Sequence, residues 1–249
     1  MNRLLAQWQR LFLTTDAAVQ PGTTPALQDA AGRTRALLIE LSRPADWPAL
    51  AALWHGVQQD LGLPAPAIAV SGTDGFQLWF ALAAPLEPAQ GLALLQAICA
   101  RYLPDAAPQR LHLQAGAQVL AGAAVPLPPQ LRAAPDQWSA FVSQDLAPVF
   151  ADSPWLDIEP GVEGQADVLA ALECISPEAL QQALAALAPP AGATAARTGT
   201  PAEASAPAPE SRPAHAQAAL DFLLQVMQDG TAPLPQRIEA AKALLQHGA

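Results

Sequence analysis

The stretch from Ala67 to Leu82, AIAVSGTDGFQLWFAL, constrains this chain more than any other. Two apolar runs rich in strand-forming residues flank the small polar turn Ser71-Gly72-Thr73-Asp74-Gly75. The pattern predicts strand, Gly-bounded turn and strand. Strands this apolar must be covered, so the hairpin belongs inside a larger sheet. Its polar turn residues belong at the lip, where a phosphate or a metal ion could be met.

The neighbouring segments fit around that hairpin. Arg33 to Leu41, RTRALLIEL, lies between Gly32 and Ser42-Arg43-Pro44 and is a buried strand by length and flanks. Asp46 can cap the following helix, in which Trp47, Leu50, Leu53, Trp54, Val57 and Leu61 recur at three- and four-residue steps until Gly62 stops it. A second amphipathic helix runs through Leu92, Leu95, Ile98, Cys99 and Tyr102 to Pro104, and a further strand spans Arg110 to Gln114.

Strand, helix, strand, strand, helix, strand is the split βαβ arrangement. The expected fold is therefore α+β: an RRM/ferredoxin-like antiparallel sheet with helices on one face. Leu4, Leu5, Trp8, Leu11 and Phe12 predict a helix before it. Residues 115–135 read as a Pro- and Ala-rich connection. Trp138, Phe141, Phe150 and Trp155 mark residues 137–157 as a segment that packs back on the domain. Helices from Gly164 to Leu172 and from Pro177 to Leu187 close it, the latter with Ser176 as N-cap.

The folded part is thus expected over residues 1–188. Residues 189–216 differ in kind: sixteen of the 28 are Ala or Pro and none is a large apolar residue, so the segment cannot bury enough surface to order itself and reads as a disordered linker. Residues 217–249 carry two short apolar stripes, Leu220, Leu223, Leu224 and Met227, then Ile238, Ala241, Leu244 and Leu245. They predict a C-terminal αα-hairpin, too small to be stable alone, which should take a protein partner or self-associate.

Charge narrows the function. The chain carries 22 acidic and 12 basic residues, a formal net charge of −10, and Lys242 is its one lysine. Broad neutralisation of a nucleic-acid backbone is difficult for such a field. Arg33, Arg35 and Arg43, around one strand, are the candidates for a local basic cluster. Cys99 and Cys174 form no CxxC, and His55, His112, His215 and His247 stand singly without ligand spacing, so they read as packing or surface residues. Gln7, Gln9 and Arg10 interrupt the N-terminal apolar run, and no run approaches the ~20 residues of a membrane span. A cytoplasmic protein without membrane contact is expected.

LLIEL, one helix upstream of SGTDGFQLWF, gives the chain a resemblance to the archaeo-eukaryotic primase superfamily over roughly residues 33–103. In that superfamily an apolar strand ends in Asp-x-Asp, whose carboxylates hold catalytic divalent metals. The corresponding residues here are Glu40 and Ser42. A second motif, Ser-Gly-x-x-Gly-x-His, meets nucleotide phosphates and corresponds to Ser71, Gly72, Thr73, Gly75 and Gln77, with glutamine where the histidine stands. Asp157 is the stand-in for a later metal-binding carboxylate, with Asp152 competing. The resemblance implies nucleotide binding through the turn and metal binding through Glu40 and Asp157.

With one carboxylate and no histidine, most of the electrostatic machinery for nucleotidyl transfer is missing. The expected function is a non-catalytic, primase-like accessory or interaction protein of a phage- or replication-related locus, with no catalytic residue and no cofactor. The alternative is an active metal-dependent nucleotidyltransferase, a primase-polymerase using Mg or Mn. Nucleic acid or nucleotide is then the ligand. Glu40 has the plainer reading of a strand-end carboxylate paired with Arg43 or Arg35, and Trp79 is the tryptophan placed to stack a base. The segment DFLLQVMQDGTAPLPQRIEAAKALLQH is similar to a helical pair of phage small-terminase-like proteins, which implies a docking or oligomerisation element.

Overall fold

The computed structural model describes residues 2–15, 25–120, 123–133 and 136–188. The chain divides into two units, Met1–Ala191 and Gly192–Ala249. The expected linker and C-terminal hairpin lie outside the described residues.

The first unit is a mixed α/β structure of seven strands and five α-helices among the described residues. Helix α1, Arg3–Leu11, is capped by the Asn2 side chain. Strand β1, Thr34–Ser42, leads to α2, Trp47–Gln59, whose N-cap Asp46 accepts from the Ala49 amide. The hairpin strands are β2, Ala67–Val70, and β3, Gly75–Leu86. Helix α3, Pro88–Tyr102, and β4, Leu111–Ala115, follow. Then come β5, Gln118–Val119, β6, Gln130–Ala133, β7, Gln137–Val142, α4, Val162–Ala170, and α5, Pro177–Leu187, which Ser176 caps through the Ala179 amide.

The strands form one antiparallel sheet in the order β5-β4-β1-β3-β2-β7-β6. Strand alternation divides its side chains between two cores. Leu37, Ile39, Leu41, Ile68, Val70, Phe76, Leu78 and Phe80 pack beneath α2 and α3 through Leu50, Leu53, Val57, Leu94, Leu95 and Ile98. Leu38, Ala69, Trp79 and Phe141 face the other way and meet Leu4 and Leu11 of α1, Phe12, and Ala166 and Leu169 of α4. Helices therefore lie on both faces, which corrects the expectation of one. The reason is that β1, β2 and β3 are apolar on both sides, and Trp79 and Phe141 present too much surface to leave wet.

The sheet is also wider than expected. Residues 115–135 and the aromatic segment after them supply β5, β6 and β7. Two glutamines stitch the second core by standing in for backbone partners. Gln165 of α4 accepts from the Phe141 amide at 2.7 Å and donates to its carbonyl at 3.0 Å. Gln114 of β4 does the same for Val125 at 2.7 and 3.0 Å.

Candidate functional site

The second face changes character along its strands. Leu38 lies opposite Trp79 on β3 and Gln114 on β4. Two residues further along, Glu40 lies opposite Gln77 and His112. Facing residues of antiparallel strands share a side of the sheet. Gln77, Glu40 and His112 therefore form a polar row across β3, β1 and β4, beside an apolar row.

The row is hydrogen-bonded into the core. The buried Trp79 indole Nε1 donates to Gln77 Oε1 at 2.9 Å, and Gln77 Nε2 donates to Glu40 Oε2 at 2.7 Å. This fixes the glutamine amide in one orientation. Burial pushes the Glu40 carboxyl above its ordinary range. The Gln77 hydrogen bond and the charges of His112 and Arg132 act in the opposite sense, while Asp74 adds to the rise. Glu40 has no ion-pair partner among the described residues. The His112 Nε2 atom is buried and finds no hydrogen-bond partner among them either.

The turn at the end of this row is closed on itself. Ser71 is buried, and its Oγ accepts from the amides of Thr73 at 3.1 Å and Gly75 at 2.9 Å. The Gly72 amide bonds the Pro154 carbonyl at 3.0 Å. Three of the amides expected to cradle a phosphate thus already have acceptors within the protein. Gly72 has φ of +78°, and a Cβ there would meet the Arg132 side chain and the Ser139 amide at 2.6 Å. Glycine at 72 is what lets β7 and Arg132 lie over the turn. Gly75 lies opposite Ser42, where a Cβ would meet the Ser42 Cβ at 2.7 Å.

The sequence-predicted residues divide accordingly. Glu40, Gln77 and the turn Ser71 to Gly75 come together at one end of the hairpin. Asp157 is exposed and accepts from Trp155 Nε1 at 3.0 Å, beside the Trp138 to Leu156 bridge. It is not among the charges that act on Glu40. Asp152 is exposed as well. Ser42 is buried and carries no charge. Among the described residues no three side chains of His, Cys, Asp or Glu gather into a metal-holding group. Glu40 and Asp157, the metal set implied by the resemblance, belong to no such group among the described residues.

Other expectations change too. Arg33 pairs with Asp29 at 2.9 Å. The Arg35 guanidinium donates to the carbonyls of Leu82, Gln9, Leu13 and Arg10. Arg43, beyond the other end of β1, pairs with Asp74 at 3.6 Å. The three do not form a basic cluster because Arg33 and Arg35 lie at the start of β1 and Arg43 follows its far end. Trp79 is 1% exposed and packs edge-on against Phe12, so it has no face free for a base. Cys99 is a buried thiol pushed up to about 12 by burial, whereas Cys174 is half-buried beside Arg35. His112, expected as a packing or surface residue, stands opposite Glu40 because of the register between β1 and β4, which local sequence does not display.

Comparison with protein-family models, with curated proteins and with solved structures finds no match to this chain. No helix among the described residues is long and apolar enough to cross a membrane.

Proposed function

We propose that the first unit is a primase-like binding module without nucleotidyl-transfer activity, acting as an accessory or interaction protein of a phage- or replication-related locus in the cytoplasm. The observation that carries this reading is the Glu40–Gln77 pair. The two residues correspond to the carboxylate and histidine positions of the motifs, and they face each other across adjacent strands with the Ser71 to Gly75 turn at their end. The inner strand order β4-β1-β3-β2, with α2 and α3 on one side, supports an RRM/ferredoxin-like core.

Loss of catalysis follows from chemistry. Two-metal phosphoryl transfer needs several hard oxygen ligands around the ions and cationic groups on the phosphates. Glu40 is a single carboxylate held by a neutral amide. Residues 217–249 would supply the contact to a protein partner or a second copy.

Manganese-supported primer extension on a single-stranded template tests the reading. No extension is expected from the full chain. Template-dependent extension that Glu40→Ala abolishes would overturn it in favour of an active primase-polymerase. For the C-terminal segment, Leu223→Asp with Leu224→Asp in the full chain should lower the sedimenting mass if the segment self-associates.

A further inference from the structure

Helices α3 and α5 are tied together at one end and stand apart at the other. Arg101 Nη1, in the last turn of α3, donates to the Ala186 carbonyl near the end of α5 at 3.3 Å. Toward their N-termini the two helices and the end of β3 wall a cleft of about 470 Å³, whose lining includes Leu82, Leu86, Leu94, Ile175, Leu180 and Leu184. Leu82, Leu94 and Ile175 are buried, whereas Leu184 is 44% exposed, so the cleft reaches from the core to solvent. A volume of this size is that of a small-molecule site. The lining selects among occupants. The Ala83 amide already donates to the Ile175 carbonyl at 2.9 Å and the Ile175 amide to the Ala81 carbonyl at 2.7 Å, while Pro85 and Pro177 carry no N–H. An added peptide strand therefore finds no free donor at this edge. Among the described residues no charged side chain and no aromatic ring lines the cleft, which suits an aliphatic chain. Gln90 and Gln181, one from each helix and both exposed, supply its polar side chains.

We propose that this cleft binds a small uncharged amphiphile, its aliphatic chain between α3 and α5 and its hydroxyl, ester or amide head at Gln90 and Gln181. Each glutamine amide can both donate to and accept from such a head. Charge complementarity sets the choice of a neutral head over a carboxylate. Glu87 and Glu178, the exposed neighbours of the lining residues Leu86 and Pro177, put negative charge beside the rim. Arg101, the only cation on the two helices, is engaged by Asp60 at 3.5 Å and by the Ala186 carbonyl. An anionic head would meet like charge with no free counter-charge. The site is separate from the Glu40–Gln77 row, since Leu82, Leu94 and Ile175 belong to the core on the other face of the sheet. It holds whether or not the chain extends primers.

The test is a titration of the isotope-labelled full chain with n-octanol and, separately, with octanoate of the same chain length, followed by nitrogen–proton correlation spectra. Saturable shifts are expected at the amides of residues 82–94 and 175–184, with octanoate binding at least about twofold more weakly. Ala93→Leu adds bulk at an exposed position of the lining and should lower octanol affinity at least about fivefold. Leu184→Asp, at the exposed wall, should act in the same direction, and both variants are checked for native circular dichroism. Ala185→Leu, on α5 outside the lining, should leave binding unchanged. The proposal is overturned by absence of a saturable shift, by shifts centred elsewhere, by octanoate binding as tightly as octanol, or by affinity that survives both Ala93→Leu and Leu184→Asp.

Discussion

The two faces of the central sheet are made from the same strands and teach different lessons. Beneath α2 and α3 every inward position of β1 and β3 is apolar, from Leu37 to Leu41 and from Phe76 to Leu82. On the opposite face the apolar row of Leu38 and Trp79 gives way within two residues to Glu40 and Gln77. A sheet needs only one such face to be stable. The polar end of the second face therefore lies where apolar packing gives way to buried hydrogen bonding, with Gln77 only 1% exposed.

The largest expected effect falls on the first face. Phe76 is fully buried and packs against Trp47 at 5.4 Å between ring centroids. Phe76→Ala should lower unfolding free energy by about 3–5 kcal/mol in chemical denaturation. Its sequence neighbour Gln77 points to the other face, so the same experiment on His112→Gln should show a far smaller change. Similar losses for both would mean that the second face is as much a packed core as the first.

The next effect concerns the join between the apolar and polar rows. Trp79→Phe keeps the ring in the second core but removes the donor to Gln77 Oε1. Leaving that buried oxygen unpaired should be destabilising by about 1–3 kcal/mol. The glutamine amide should also lose its fixed orientation, and the Gln77 side-chain NH2 resonances in a nitrogen–proton correlation spectrum report this directly. An unchanged spectrum would mean that the polar row does not depend on the core beside it.

The difference between the faces also marks what the sequence could disclose. β1, α2, the hairpin, α3 and β4 were legible because each is a periodic apolar run bounded by Gly, Pro or a cap. Expected ends such as Arg33 to Leu41 fall one residue from the observed Thr34–Ser42. The Glu40–Gln77 pairing was legible only through the motif, since 37 residues separate them. Strands β6 and β7 were hidden by the prolines around them, and the second layer of helices by the assumption that one face would suffice. The place of His112 beside Glu40 could not be read from local pattern, because it arises from the register between β1 and β4.

The smallest expected effect is one of sign more than size, and it isolates the polar row. The folded-state Glu40 carboxyl titrates above the ordinary 4.5, so between that value and its raised folded value the native state holds more protons than the unfolded chain. Stability contributed by this group is accordingly greatest in acid and falls as pH rises through the window. Glu40→Gln removes the ionisation while keeping an oxygen that can accept from Gln77. The variant should match the parent below about pH 4.5 and exceed it in stability near neutrality, as measured by denaturation midpoints across pH without added metal ions. The reverse ordering would mean that the native state stabilises the charged carboxylate, and that the polar row gains rather than loses from the ionised form of Glu40.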